Sequence, residues 1–594
     1  MAVMGQGASM SDTPSNLVHL ILKNLNARPN HQALWAKKQG IYTPMTYQEC
    51  FEHVKWLSLG LSELGIQPGD RVALLSGNRP EWVVADFAIL SAQAVVVPIY
   101  LTLSPTEMAH ILTDCQATML VVETQAHMDM IGSMMASLPH LRQVISIERT
   151  ATPDGVPHLN WDDVVAKGKD STPPAYDALL TAIDAISQDQ LASIVYTSGT
   201  TGEPKGVMLT HGNFLSNIQD IALAIPISAD DVVLSFLPLS HVFERTAGYY
   251  CVLNGGGTIY YAESIDTVAA NMMEVNPTVL VSVPRLYEKI HDKVDRQLTG
   301  LKRRLFHGAL QWGYRGLDHQ LTWWQRPLLT VMDRVVFKPI RQRTGNRLRF
   351  FVSGGAPLNQ RISRFFAAIG LPIIEGYGLT ETSPVIACNR PNTNRLGTVG
   401  KAMSSLDIRL ADDGELMVKG ASVFKGYWHQ PEATDAAIDS DGFFHTGDIA
   451  HIDPDGYIHI VDRKKDMIVL SNGKKVPPQW IESHLNHHPF IAQSMVIGDG
   501  HSFLTALLVP NMDRMQATSG PGAKPPEPAE VAAMLQTAVN EVNQQFARFQ
   551  QVKRLAVIPT EWTVESGELT PSLKLRRKLI HARWASVIDG LYKE

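Results

Sequence analysis

Short apolar runs alternate with helically spaced segments along the first part of the chain. RVALLS from Arg71 is a continuous apolar run, EWVVADFAILSA from Glu81 repeats its apolar positions at helical period, AVVVPIY from Ala94 is β-branched, and TMLVVE from Thr118 follows another helix. This alternation predicts a parallel sheet buried on both faces. Ser104, Pro105, Thr106 and Glu107 mark a helix start: a Ser cap, a Pro in the first turn and a Glu three residues on satisfy orphan amides. The later runs SIVYTS, DVVLSFLPLS, TVLVSVP and RFFVSGG each end in small or polar residues, where ligand loops sit in open α/β sheets. After about Asn394 the pattern turns to short alternating runs with turn signals at Asp412-Asp413-Gly414 and Asp453-Pro454-Asp455-Gly456, which predicts a small antiparallel section. Beyond Lys465 a smaller α/β unit is expected. Its Pro/Gly-rich segment Ala517 to Pro528 reads as a mobile loop, because such composition buries too little surface to offset ordering entropy.

The chain has 594 residues, 45% hydrophobic and 19% charged, which suits large cores and excludes a single small module, global disorder and a fibrous repeat. With 52 Lys+Arg against 58 Asp+Glu and a formal charge of -6, the bulk charge argues against a nucleic-acid binder. Cys50, Cys115, Cys251 and Cys388 are far apart without a CxxC pair, so a reducing, cytoplasmic setting is the simpler reading. The first residues lack the basic start and apolar run of a secretory signal. The charge-free window Phe87 to Thr106 is interrupted by Ser91, Gln93, Pro98, Ser104 and Pro105, so it reads as soluble core. His484, His487 and His488 lack an HExxH arrangement and read as a solvated helix face, with no zinc assigned.

One region departs from this balance. Residues 301–349 carry eleven Lys or Arg against Asp318 and Asp333, with Trp312, Trp323 and Trp324 interleaved. Two readings stay open: an amphipathic surface on anionic lipid, peripheral at the inner face of a membrane, or a solvated helix pair whose Trp residues enter the core.

The most informative segment is YTSGTTGEPKGVMLTHGN, Tyr196 to Asn213, between the strand SIV and a helix-like run. Gly199, Gly202 and Gly206 let the backbone approach an anion, Ser198, Thr200 and Thr201 offer hydroxyls, and Lys205 adds a positive charge. The segment reads as a polyphosphate cradle, against the alternative of a Gly/Thr-rich turn with no ligand, and it lacks the GK[ST] ending of a Walker loop, which disfavours a P-loop ATPase or kinase.

This segment resembles the phosphate loop of the adenylate-forming (AMP-binding) superfamily of acyl-CoA synthetases, luciferases and peptide-synthetase adenylation domains. LPLSHVFER (Leu237 to Arg245), FVSGGAPL (Phe351 to Leu358), EGYGLTET (Glu375 to Thr382) and HTGD (His445 to Asp448) follow in the superfamily's order. Asp441 to Glu482 and GELTPSLKLRRKLI, Gly567 to Ile580, are similar to the long-chain fatty-acyl-CoA synthetase branch. The resemblance implies an α/β adenylate-forming fold: a flexible N-terminus 1–15, an AMP-binding domain 16–464 with parallel sheets and a small antiparallel section, and a mobile α+β domain 465–594.

The implied reaction joins fatty acid to CoA through a fatty-acyl-AMP, with ATP and CoA as co-substrates and Mg²⁺ as cofactor. The implied nucleotide-binding residues are Thr197, Ser198, Gly199, Thr200, Thr201, Gly202, Lys205, Gly355, Ala356, Glu375, Gly376, Tyr377, Gly378, Thr380, Asp448, Ile460 and Arg463. Tyr377 would lie on adenine, Asp448 would accept from the ribose with support from Arg463, and Glu381 would ligate Mg²⁺. His241 would orient substrate, against the alternative of a core histidine with both nitrogens satisfied. Lys574 would bridge carboxylate and α-phosphate, then leave as the C-terminal domain turns about Lys465; SLK stands where the branch usually has TGK, so Lys578 or a neighbouring arginine is the competing position. A fatty-acyl-AMP ligase serving a carrier-protein thiol and a non-catalytic acyl or nucleotide sensor are the alternative functions, and a homodimer is left open.

Overall fold

Runs of aliphatic, β-branched strands set the frame of the computed structural model, which describes residues 14–197, 204–323, 325–518, 524–564, 566–570 and 574–593. Most of the expected flexible N-terminus thus lies outside the described residues. An eight-stranded sheet has the parallel strands Leu191–Thr197, Val95–Pro98, Arg71–Leu75, Met119–Val122, Gln143–Ser146 and His158–Asn160 in that order. A nine-stranded sheet is parallel through Ile373–Gly378, Phe350–Ser353, Val279–Ser282, Val232–Ser235, Thr258–Tyr261 and Gln32–Lys38. The strand-helix rhythm of the sequence therefore yields the expected buried parallel sheets. The helix Pro105–Asp114 begins as expected, with Ser104 and Glu107 forming a reciprocal capping box.

One strand was not read from the sequence. Lys205–Thr210, inside the Gly/Thr-rich segment, is antiparallel to Leu191–Thr197, and the helix-like run begins at His211. Val207 and Leu209 are buried on that strand, so pairing with the sheet stabilises it as an extended segment.

The apolar cluster between the sheets joins Val72 and Leu74 of one to Val233 and Val281 of the other, with Trp82, Phe87, Phe214, Tyr249 and Tyr250 among them. A charged pair sits inside it. Arg245 and Asp86 are both fully buried and ion-paired, Arg245 donates to Ser193 Oγ at 2.7 Å, and Tyr250 Oη donates to Asp86 at 2.7 Å. Low dielectric makes this pair costly to form and costlier to break on one side.

The antiparallel section appears as Leu406–Leu410, Glu415–Gly420, Phe444–Ile452 and Ile458–Arg463. Next comes a three-stranded unit, Ile491–Ile497, Leu504–Pro510 and Val552–Val557, with helices including Pro478–Asn486 and Pro528–Asn543. Its two apolar clusters draw only on residues from Ile468 onward. Residues 519–523 of the expected Pro/Gly-rich loop lie outside the described residues. The unit meets the rest through Arg576 to Glu107 at 3.2 Å and Arg514 to Asp292 at 3.4 Å.

Candidate active site

Parallel strands deliver their following loops to one end of a sheet. Thr197 ends one strand and Lys205 begins its antiparallel partner, in direct register. Ser198, Gly199, Thr200, Thr201 and Gly202 of the expected cradle lie outside the described residues. Lys205 Nζ stands 4.9 Å from the centre of the Tyr427 ring. Tyr427 Oη in turn donates to Glu381 Oε1 at 2.9 Å, and the Phe424 amide donates to the Glu381 carbonyl at 2.8 Å. Burial, then Glu381, raises the Tyr427 phenol, so it stays a donor. Thr380 and Glu381 occupy a short 3₁₀ turn after the strand Ile373–Gly378. Glycine is required at 378 because a Cβ there would lie 1.8 Å from the Pro384 carbonyl oxygen.

Asp448 and Arg463 face each other across neighbouring strands. Asp448 is 3% exposed, accepts from Tyr377 Oη at 2.6 Å and pairs with Arg463 Nε at 3.1 Å. A carboxylate has four lone-pair sites, so Asp448 keeps acceptor capacity beyond these two bonds. Ile460 is half-buried on the same strand as Arg463 and, like Tyr377 and Leu379, packs against the cluster of Ile386, Leu416, Val418 and Ile458. Glu375, Gly376 and Tyr377 share one strand; burial pushes the Glu375 carboxyl up to about 8, so it stands neutral. Gly355 follows the strand Phe350–Ser353 with φ +80°, a left-handed conformation that favours glycine, and Ala356 beside it is exposed.

His241 lies in the segment after Val232–Ser235. Its Nδ1 accepts from the Phe243 amide at 3.1 Å, which assigns the proton to Nε2, and Nε2 has no hydrogen-bond partner among the described residues. Burial, then Lys574, lowers the imidazole to about 4. His241 is thus a neutral Nε2–H donor.

Lys574 reaches this region from the C-terminal unit. Thr570 N donates to Lys574 O at 2.8 Å, and Lys574 N donates to Thr570 Oγ1 at 3.0 Å. Lys574 retains much water-accessible surface, yet burial followed by Arg463 lowers its ammonium to about 8, with Asp448, Lys465 and Glu381 also acting on it. The side chain touches water while protein surrounds its charge on several sides. The sequence candidates Lys574, His241, Glu381, Asp448, Arg463 and Lys465 are therefore brought to one place. Lys465 lies in the turn after the strand Ile458–Arg463.

The sequence reading missed Tyr427 and Asn78. Asn78 Nδ2 donates to Leu237 O at 2.7 Å and Ser235 Oγ at 3.1 Å, and its Oδ1 accepts from Leu239 N at 3.0 Å. It clamps the segment leading to His241. Its signal was available: SGN follows the run RVALL, at a strand end.

The AMP-binding enzyme family matches residues 22–428, and the AMP-binding enzyme C-terminal domain matches residues 465–594. The chain belongs to the AMP-binding, adenylate-forming enzymes, in their fatty-acyl-CoA synthetase branch. It is 34% identical over 600 residues to long-chain-fatty-acid–CoA ligase FadD15 of Mycobacterium tuberculosis, covering 98% of this chain and 97% of that one. It is 30% identical to the peroxisomal long chain acyl-CoA synthetase 7 of Arabidopsis thaliana, covering 93% and 82%. Among solved structures, ATP-bound MatB from Rhodopseudomonas palustris matches with TM-score 0.70 and 25% identity over 98% of this chain and 100% of that one. The anthranilate CoA ligase AuaEII with anthranoyl-AMP matches in fold with TM-score 0.75 and 22% identity over 97% and 99%.

Proposed function

We propose that this AMP-binding enzyme is an ATP-dependent fatty-acid:CoA ligase. The observation that carries the reading is the convergence of Lys574, His241, Glu381, Asp448 and Arg463, in a chain 34% identical to a long-chain-fatty-acid ligase. A carboxylate is a poor acyl donor because oxide is a poor leaving group. One carboxylate oxygen attacks the α-phosphorus of ATP, the bond to pyrophosphate breaks, and the acyl-AMP forms; the CoA sulfur then attacks the acyl carbon and AMP leaves.

Each residue has a part in this chemistry. His241 Nε2–H hydrogen-bonds the acid and orients it. Lys574, protonated below about pH 8, stabilises the carboxylate and α-phosphate as their mutual repulsion is overcome. Lys205 and Thr380 bind phosphate, and Asp448 receives the ribose hydroxyls while Arg463 holds it in place. Gly355, Ala356 and Tyr377 border the adenine. Glu381 fits Mg²⁺, since one of its oxygens is held by Tyr427 and Mg²⁺ commonly takes one or two carboxylates with phosphate oxygens. Bound there, Mg²⁺ would offset phosphate charge. The unit beyond Lys465 would rotate about that turn and exchange Lys574 for a surface that guides CoA. The four cysteines are free and buried, in keeping with a cytoplasmic setting.

A fatty-acid chain-length series with ATP and Mg²⁺ tests this, following pyrophosphate–ATP exchange first and acyl-CoA after CoA is added. Exchange without thioester would favour transfer to a carrier-protein thiol. No exchange with any acid would sink the reading.

A further inference from the structure

Residues 283–349 form the crossover between the adjacent parallel strands Val279–Ser282 and Phe350–Ser353, far longer than the dozen or so residues such a connection needs. Within it, helix Gly300–Leu317 leads to the helical run Arg326–Gln342. Phe306, Ala309, Leu310 and Phe337 form the inward face, in a cluster with Leu280, Phe351 and Phe366. The Phe306 and Phe337 rings meet at 6.5 Å, which sets the start of the first helix beside the end of the second.

The outward face is unusual. Leu301 is 71% exposed, Leu305 59%, Val331 56%, Val335 69% and Trp323 82%. Leu301 with Leu305, and Val331 with Val335, are four residues apart and so share a side of their helices. Trp312 is half-buried and Trp323 lies outside the core, so the reading in which the Trp residues fill the interior fails for Trp323; Trp324 lies outside the described residues. The two acids of residues 301–349 are already engaged, Asp333 by Arg341 at 2.6 Å and Asp318 by Arg364 at 2.5 Å. Lys302, Arg304, Arg334 and Lys338 have no carboxylate partner among the described residues and flank the exposed apolar side chains.

We propose that this helical hairpin docks the enzyme on the headgroup zone of an anionic phospholipid bilayer. Leu305, Val331, Val335 and Trp323 enter the interface, while Lys302, Arg304, Arg334 and Lys338 meet lipid phosphates. Charge complementarity selects this occupant. A second copy of the same surface would bring unpaired cations together, and nucleic acid would gain nothing from the exposed aliphatic groups and would face a chain of net charge -6. Tyr287 Oη donates to Val352 O at 2.6 Å, tying the crossover to the strand that precedes Gly355. The docked face is thus fixed to the frame of the site. The proposal deepens the fatty-acid reading, since such acids partition into lipid.

Co-sedimentation of the full chain with phosphatidylcholine vesicles, with and without phosphatidylglycerol, tests it. The wild type should bind the anionic vesicles and not the zwitterionic ones. The combined variant Lys302→Glu, Arg304→Glu, Arg334→Glu and Lys338→Glu should lose at least about a hundredfold in partitioning, and Leu305→Asn with Val331→Asn and Val335→Asn about tenfold. Brominated lipid should quench wild-type fluorescence, and Trp323→Phe should remove part of that quenching. Pyrophosphate–ATP exchange on a short, water-soluble acid should be unchanged in every variant. Unaltered partitioning after charge reversal, or equal binding to both vesicle types, would overturn the proposal. So would a wild-type dimer that the variants dissociate without any change in vesicle binding. Vesicle binding by a wild type that exchanges no pyrophosphate with any acid would instead sink the ligase reading and leave the docking surface standing.

Discussion

At Lys574, a lowered ammonium in the proposed role would couple activity to pH. The group is protonated below about 8 and loses its charge as pH rises through that value, so kcat/KM for adenylation should fall on the alkaline side with a midpoint near there. Lys574→Arg, which stays charged, should remove that limb at some cost in geometry. Lys574→Ala should reduce pyrophosphate exchange by roughly a hundredfold or more while largely sparing thioester formation from supplied acyl-AMP; equal loss in both would contradict its assigned part. On the part proposed for His241, Asn78 would act one step back from the substrate. Asn78→Ala should lower kcat/KM for fatty acid about tenfold, leave KM for ATP unchanged, and add nothing in a His241→Ala background. Lys574, His241, Glu381 and Asp448 were legible through the motifs the chain shares with the adenylate-forming superfamily. Tyr427 was not, because its use depends on a hydrogen bond to Glu381, 46 positions away, that no local pattern encodes.

Among elements, the π-helical run Glu244–Tyr250 after His241 packs two ionisable side chains, Glu244 and Arg245, into the core. Arg245→Ala would leave Asp86 buried and uncompensated and should cost about 3–5 kcal/mol of stability, read as a large drop in Tm. Glu244 behaves differently, since burial raises its carboxyl to about 8 from 4.5. Below 4.5 both folded and unfolded states keep its proton. Between 4.5 and about 8 only the folded state does, so its contribution to stability falls as pH rises across that window. Glu244→Gln should therefore flatten the decline of Tm over that range. The strands were legible from period and length, and the capping box at Ser104 from spacing alone. The strand Lys205–Thr210 was hidden because GVML is too short to show a period of its own, and pairing with Leu191–Thr197 decides it.

For the molecule as a whole, the contact of Arg576 with Glu107 ties the C-terminal unit to the rest in the arrangement that places Lys574 near His241. Glu107→Arg should weaken pyrophosphate exchange roughly two- to fivefold without slowing thioester formation from acyl-AMP, and adding Arg576→Glu should restore exchange. Such long-range pairing cannot be read from sequence, since 469 positions separate the partners and only folding sets their distance. The change of rhythm near Asn394 and Lys465 was legible, because each sheet type writes its own period. Among the described residues the apolar clusters of the C-terminal unit borrow nothing from the body, so the unit should behave as a transplantable cassette. Grafted across the Arg463 to Lys465 turn onto a relative, it should carry over the thiol-handling half of the work, while the recipient keeps its own choice of acid.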